Sequence, residues 1–501
     1  MSRQPHGLSR YETLVKECAD TPRPPLPDTF GRIGHRNPLS GIAPGGEPFD
    51  TADVLVAFDA AVDSMKDTND PQGHDVAAGM TFFGQFVDHD VTLDAKSAIG
   101  TVIDPATIRN IRTPTLDLDC VYGDGPEASP HLYHPDHHGF LLFGNADNHL
   151  DLARTKQGTA LIGDPRNDEN QIVSQLQGAF ICLHNIVMTA LEADSGMARK
   201  ALSGISAAAM HTFKKSEEPF QVARRICRLH YQYLVAHDLL QAFVDADILK
   251  HVRDHLEGGT LPKPFKDDSP VMPIEFSGAA YRFGHATVQS KYQLNHDNLD
   301  FDLFKLGRPE FSFRPSDLNI HFEKLFDYPG QTADARARPI GRKMAQSIFA
   351  LPFISGTADI GGATMTEDQN RKLPLRNLLR DRLTLELASG QQMARKMHVP
   401  ELAAPPELSD HGVTKTPLWY YCLQEAEGHS GRLGPVGGTI VATVLLRLLY
   451  LDPESLVCST HDFKPWKELG ADDDGTYSMG HMLKFVEDNR DNIAHAGDLR
   501  T

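Results

Sequence analysis

The stretch FFGQFVDHDV, residues 82–91, places Gln85, Asp88, His89 and Asp90 among Phe82, Phe83, Phe86, Val87 and Val91. The apolar positions read as a core helix. Positions i, i+3 and i+4 of a helix share a face, so Gln85, Asp88 and His89 line up, while Asp90 turns about 100° away from His89. One helix then offers a Gln–Asp–His face to one site and an aspartate to another. The plain alternative is a solvated polar face, which the flanking phenylalanines disfavour. Buried carboxylates are costly unless paired, metal-bound or covalently modified.

The chain around it has 501 residues, 40% of them hydrophobic, enough for a large core. Its formal charge of −18, from 49 basic and 67 acidic residues, argues against nucleic-acid or anionic-membrane partners. Cys18, Cys120, Cys182, Cys227, Cys422 and Cys458 are widely spaced with no C-x-x-C, which fits reduced core thiols better than a zinc ribbon or disulfide framework. The first 28 residues lack an apolar h-region, so no cleavable signal peptide is visible. The expectation is a soluble protein, cytoplasmic or exported by a non-standard route. VATVLLRLLYL is the longest apolar run; it is short for a bilayer and contains Arg447, so no transmembrane segment is expected.

Residues 1–50, rich in Pro, Gly and Arg, read as an extended arm, and residues 51–501 as one large domain. Helical spacing is clear in DENQIVSQLQGAFICLHNIVMTALEAD, after Pro219 in PFQVARRICRLHYQYLVAHDLLQAFV, and in GGTIVATVLLRLLYLDPESL, which is apolar nearly all round. Few segments alternate as strands. The expected fold class is mainly α, with long loops and very little β.

Several other segments carry chemistry. RTPTLDLDCVYGDG sets Thr113, Thr115, Asp117 and Asp119 at every second position, hard oxygen donors of the kind Ca²⁺ takes, without EF-hand spacing; an Asx turn is the alternative. LIGDPRNDENQ holds Arg166 and Glu169 three apart at the start of a helix, where an arginine is mildly unfavourable with the dipole. AAYRFGHATVQ holds Arg282 and His285, again three apart. DHD and HPDHH (residues 134–138) also match short metal-binding patterns, among them a two-His-one-carboxylate iron site, but a chain with 24 histidines produces such matches by chance.

Taken together, GQFVDHD, TPTLDLDCVYG, GDPRNDEN and YRFGH resemble, in order and interval, the animal-type haem peroxidases of the peroxidase–cyclooxygenase superfamily. The resemblance spans about residues 70–450, and LPLRNLLRDR, ASGQQMA and LGPVGGTIVA resemble its bacterial branch. It implies a single large haem-peroxidase domain binding haem b and Ca²⁺. By that resemblance His89 is the distal base, Arg166 the distal arginine and Gln85 the glutamine that holds the distal water. His285 is the proximal iron ligand and Arg282 pairs with a propionate. Asp88 and Glu169 match the carboxylates that form ester links to haem methyls; Asn170 stands where a methionine link would be. Asp90, Thr113, Thr115 (through its carbonyl), Asp117 and Asp119 match the calcium ligands. An asparagine that accepts from the proximal histidine is expected near ALPFISGTADIGG, which contains none; Asn377 is read as matching a different position.

The resemblance implies H₂O₂-dependent oxidation of iodide, bromide, thiocyanate or a phenol through a ferryl oxidant, with chloride ranked last. A fatty-acid dioxygenase is the alternative within the superfamily. Those enzymes carry a tyrosine three residues before the proximal histidine, where this chain has Arg282, with Tyr281 one residue further back. A non-catalytic haem- and calcium-binding adhesion protein is the third reading. It leaves the joint presence of His89, Arg166 and His285 without a purpose.

Overall fold

Helix α1 (Thr51–Met65) begins at a reciprocal cap between Asp50 and Asp53, and buries Val54, Phe58, Ala61 and Met65. The computed structural model in which it sits describes residues 30–37, 50–67, 74–93, 110, 114–193, 196–197, 200, 219–298, 300–304, 311–460 and 462–501. Helix α2 (Gly79–Val91) contains the opening stretch. It starts hard against Phe326, where a Cβ on Gly79 would lie 2.3 Å from the ring, so only glycine fits.

Three helices form the aromatic centre of the core. Phe86 of α2 stacks on Phe180 of α3 (Gln171–Ala193), with ring centroids 4.6 Å apart, and both meet the edge of Tyr231 on α4 (Pro219–Leu234). A π-turn, Val235–Leu239, then leads from α4 into a last helical turn, Leu240–Phe243. Beyond them come α5 (Ala246–Glu257), α6 (Leu373–Leu379), α7 (Gly390–Met397), α8 (Leu418–Glu427), α9 (Pro435–Leu451) and α10 (Met479–Asn489). Two antiparallel ladders are the strand pairs among the described residues: β1 (Lys291–Tyr292) with β2 (Phe301–Asp302), and β3 (Ala358–Asp359) with β4 (Thr364–Met365). The fold is mainly α with long loops, as the patterning predicts.

The helix that is apolar all round, α9, is buried as expected, and Arg447 within it donates to the carbonyls of Ser269, Pro270 and Asp267. Among the described residues, the helix long and apolar enough to cross a bilayer is α3 rather than the VATVLLRLLYL run; 89% of its apolar window is buried inside the domain. Cys120, Cys182, Cys227 and Cys422 are buried thiols outside any disulfide. Part of the expected arm is described: Ile33 N and Gly34 N donate to the buried Glu275 carboxylate at 3.1 and 2.8 Å, and Gly31 O accepts from Ile274 N. This seats residues 30–37 against the segment that leads to His285.

Candidate active site

Helix α2 separates its polar residues as the 100° step requires. His89 and Asp90 are buried, while Asp88 is half-buried and lines a cavity of about 190 Å³. That cavity is also lined by Phe30, Thr92, Arg166, Ile274, Arg282 and Arg380. It therefore joins the α2 side of the site to the segment carrying His285, with arginines on both. The two segments are also tied elsewhere. Tyr281 donates its hydroxyl to Gly84 O at 3.2 Å, and the hydroxyls of Thr81 and Thr287 meet at 2.8 Å.

His89 stands beside Asp88 and Arg166, and burial with the nearby guanidinium pushes its pKa down to about 4. The ring is neutral at pH 7. Its Nδ1 lies 2.7 Å from Asn167 Oδ1. An amide oxygen only accepts, so Nδ1 carries the proton and Nε2 keeps its lone pair. Asn167 is itself fixed: its Nδ2 donates to Gln177 Oε1 at 2.8 Å, and Gln177 Nε2 donates to Cys120 O at 3.1 Å. Neither Asn167 nor Gln177 stood out in the sequence, because their role depends on α3 folding back beside α2.

Arg166 is not in α3. It occupies a 3₁₀ turn, Pro165–Asp168, capped by Asp164, whose buried carboxylate takes its guanidinium at 2.8 Å. The same Nη2 donates to His89 O at 3.0 Å and Thr92 O at 2.6 Å. The arginine thus holds the end of α2 while lining the cavity. Gln85 and Glu169 come together by a short hydrogen bond from Gln85 Nε2 to Glu169 Oε1, and Asn170 Nδ2 donates to Gln85 Oε1 at 3.3 Å. Gln85 is therefore bound to the Glu169 side chain. Between these residues, Asp168 is anchored by Arg154 at 2.7 Å and Arg314 at 3.1 Å in a buried cluster.

His285 lies in the short helix Gly284–Thr287, beside Arg282 and Arg380. Burial and these two guanidiniums push its pKa down to about 3, which keeps the imidazole neutral and able to bind a metal. Its partner is Asn377 on α6: Nδ2 of the amide lies 2.8 Å from His285 Nδ1, and Oδ1 is buried with no hydrogen-bond partner. Turning the amide over gives its oxygen a donor in the His285 ring. Oδ1 then accepts from Nδ1–H, and Nε2 is left to face a metal. This corrects the expectation of a partner near residues 350–362. Arg380, three residues after Asn377, begins the π-turn Arg380–Thr384 that closes α6. Arg282 donates Nε to Ser277 O at 2.9 Å, and its carbonyl accepts from the Trp419 indole at 3.2 Å.

The acidic cluster forms on the other face of α2. Asp90, Asp117 and Asp119 each place a carboxylate oxygen within 4.8 Å of the others. Tyr231 and Leu118 N donate to Asp90 Oδ2 at 3.0 and 3.3 Å, while Asp90 Oδ1 and Thr115 Oγ1 are buried with no N–H or O–H partner. Burial and Asp117 push the Asp90 carboxyl up to about 7. An orphaned carboxylate oxygen, Asp90 Oδ1, within a cluster of three carboxylates fits a Ca²⁺ ion. Thr113 lies outside the described residues.

Residues 94–452 match the family model described as animal haem peroxidase. The chain belongs to the animal haem peroxidase family. Membership implies haem, and the neutral His285, the Asn377 amide beside it and the arginine-lined cavity fit that group. A chorion peroxidase of Drosophila melanogaster is 32% identical over 139 residues, 26% of this chain and 17% of the relative. A thyroid peroxidase of Rattus norvegicus is 23% identical over 369 residues, 67% of this chain and 37% of the relative. The chain thus spans well under half the length of these curated relatives. In fold it is similar to peroxidase A from Dictyostelium discoideum, with TM-score 0.56 and 15% identity over 86% of this chain and 89% of that one. It is likewise similar to a fatty acid alpha-dioxygenase from Oryza sativa, with TM-score 0.53 and 16% identity over 93% and 82%.

Proposed function

We propose that this family member is a peroxidase that reduces H₂O₂ and oxidises a small anionic or phenolic reductant such as iodide, bromide, thiocyanate or a phenol. The observation that carries the reading is the buried, neutral His89, with its tautomer set by Asn167 and a guanidinium beside it. Haem, when bound, supplies the redox chemistry. The chain's own part is proton handling. His89 Nε2 takes the proton from the near oxygen of peroxide and returns it to the far oxygen. Arg166 steadies the negative charge that develops between them. His285 would hold the iron, with the Asn377 amide making it a stronger donor. Arg282, on the cavity wall, would pair with a propionate.

Asp88, on the cavity wall, and Glu169, held by Gln85, are the candidates for ester links to haem. Asp90, Thr113, Thr115, Asp117 and Asp119 are the candidates for binding Ca²⁺, next to the distal histidine in sequence.

The second reading, a fatty-acid dioxygenase, draws on the fold similarity. Against it, Arg282 occupies the position of the radical tyrosine, and the Tyr281 hydroxyl is engaged with a backbone carbonyl of α2. Stopped-flow mixing of haem-loaded protein with H₂O₂ tests the choice. Rapid spectral conversion that is reversed by iodide or a phenol is expected. Oxygen uptake with a fatty acid and no added peroxide would overturn it. Acid–organic extraction after peroxide cycling tests the ester links: haem that stays with the protein supports them, and freely extracted haem removes them.

A further inference from the structure

Residues 30–37 belong to the arm expected from the sequence, and they lie outside the 94–452 span of the family match. The fold gives them a place at the site. Phe30 is 3% exposed and lines the cavity that holds Asp88, Arg166, Arg282 and Arg380. The apolar side chains of that lining are Phe30, Ile274 and Leu385, each from a different segment of the chain.

The arm is bonded to both of the other segments. On one side Gly31 N donates to Met272 O at 3.2 Å, and Gly31 O accepts from Ile274 N at 2.8 Å, a short parallel pairing. The pairing is close: a Cβ on Gly31 would lie 2.6 Å from Pro270 Cβ. The amides of Ile33 and Gly34 go to the buried Glu275 carboxylate. On the other side Arg32 Nη2 donates to Leu385 O at 2.6 Å and Asn37 N to Glu386 O at 2.9 Å. Arg36 pairs with Glu386, and Arg382 donates to Asn37 O. The backbones of Ile274 and Leu385 are thus tied to residues 31 and 32, the two that follow Phe30. An arm lying loosely on a surface leaves its amides to water. These amides are spent on the cavity's own walls.

We infer that residues 30–37 are a strap that completes the haem site. It brings Phe30 to the cavity as one of three apolar walls, and by bridging 272–275 to 385–386 it holds those walls closed against haem release. The inference rests on haem occupying this cavity, which family membership implies, and not on the reaction that follows. Such a strap retains haem before any ester link forms.

The test uses the full 501-residue chain, loaded with haem and never exposed to peroxide. Haem is followed by its Soret band as it passes to excess apomyoglobin. Phe30→Ala should release haem at least about tenfold faster than the parent, because affinity changes fall mostly on the off-rate. Arg32→Ala combined with Arg36→Ala leaves the lining intact but loosens the strap, and should also speed release. Phe353→Ala, at a phenylalanine 55% exposed, should match the parent. Amide hydrogen exchange gives the second readout. Coupling between strap and haem is reciprocal, so haem should slow exchange at Ile33 and Gly34 at least about tenfold in the parent. Exchange that haem leaves unchanged would overturn the inference, since a strap serving stability alone behaves that way. That measurement needs only the parent, so it decides the matter even where a variant does not fold. Parent-like release from a folded Phe30→Ala would also overturn it. Neither readout involves turnover, so failure of the peroxidase reading shows in stopped-flow mixing and not here.

Discussion

Replacing Asn167 by alanine isolates what holds the distal histidine. His89 is 5% exposed and its Nδ1–H has Asn167 Oδ1 as partner at 2.7 Å. Losing the acceptor from a buried donor costs about 1–3 kcal/mol. The ring recovers part of that by moving its proton to Nε2 or by turning, and either response removes the lone pair that peroxide needs. At about 1.4 kcal/mol per tenfold in rate, the second-order rate constant for reaction with H₂O₂ should fall about tenfold to a hundredfold. His285 and its spectrum should be untouched. The pH profile supplies a second readout. The base works only when neutral and its pKa is about 4, so the parent rate should be flat from pH 8 to about 5 and fall below 4. Asn167→Asp keeps the acceptor but adds a negative charge, which raises the histidine's pKa and moves the acid limb to higher pH. Stopped-flow Soret traces across pH measure both. A rate for Asn167→Ala within twofold of the parent, with Asn167→Asp leaving the limb in place, would refute the positioning role.

Further outcomes follow from other contacts. Ca²⁺ at 100 times its Kd should stabilise the protein by about 2.7 kcal/mol in denaturant melts; Asp90→Asn should lose that gain, and keeping it would exclude the acidic cluster. Asn377→Asp should make His285 a stronger donor and lower the haem reduction potential, read by spectroelectrochemistry, whereas Asn377→Leu should raise it. Gly163→Ala would place a Cβ 2.4 Å from Asp119 O and 2.7 Å from Cys120 O. It should cost at least about 1–3 kcal/mol and loosen both the 164–170 segment and the acidic cluster, seen as lower melting temperature and weaker Ca²⁺ binding.

Local patterns were legible in the sequence wherever the information was local. The division of α2 into a Gln–Asp–His face and an opposed Asp90 follows from helix geometry alone, as do the long buried helices α3 and α9. What escaped needed tertiary contact. Asn377 meets His285 across 92 positions, and no spacing rule links α6 to the short helix that carries the histidine. Asn167 and Gln177 are ordinary polar residues until α3 is laid beside α2. Arg166 was read into the start of α3 because DENQ looks helical, but Pro165 and the Asp164 cap give it a turn of its own. The HPDHH turn packs its His137 ring on His495, a contact that a local pattern cannot reach.

The segment 164–170 has a consequence for how its sequence can vary. Asp164 takes the Arg166 guanidinium, Asn167 holds His89, Asp168 meets Arg154 and Arg314, and Glu169 meets Gln85. Asn170 caps α3 through Ile172 N and Val173 N at 3.1 and 3.0 Å. Consecutive side chains serve different neighbours in different directions, so the stretch has no spare residue. Inserting or deleting one position would not lengthen a loop; it would hand every side chain its neighbour's task. Substitutions of like chemistry are tolerable here and indels are not, so relatives that keep this site should align across the segment without a gap.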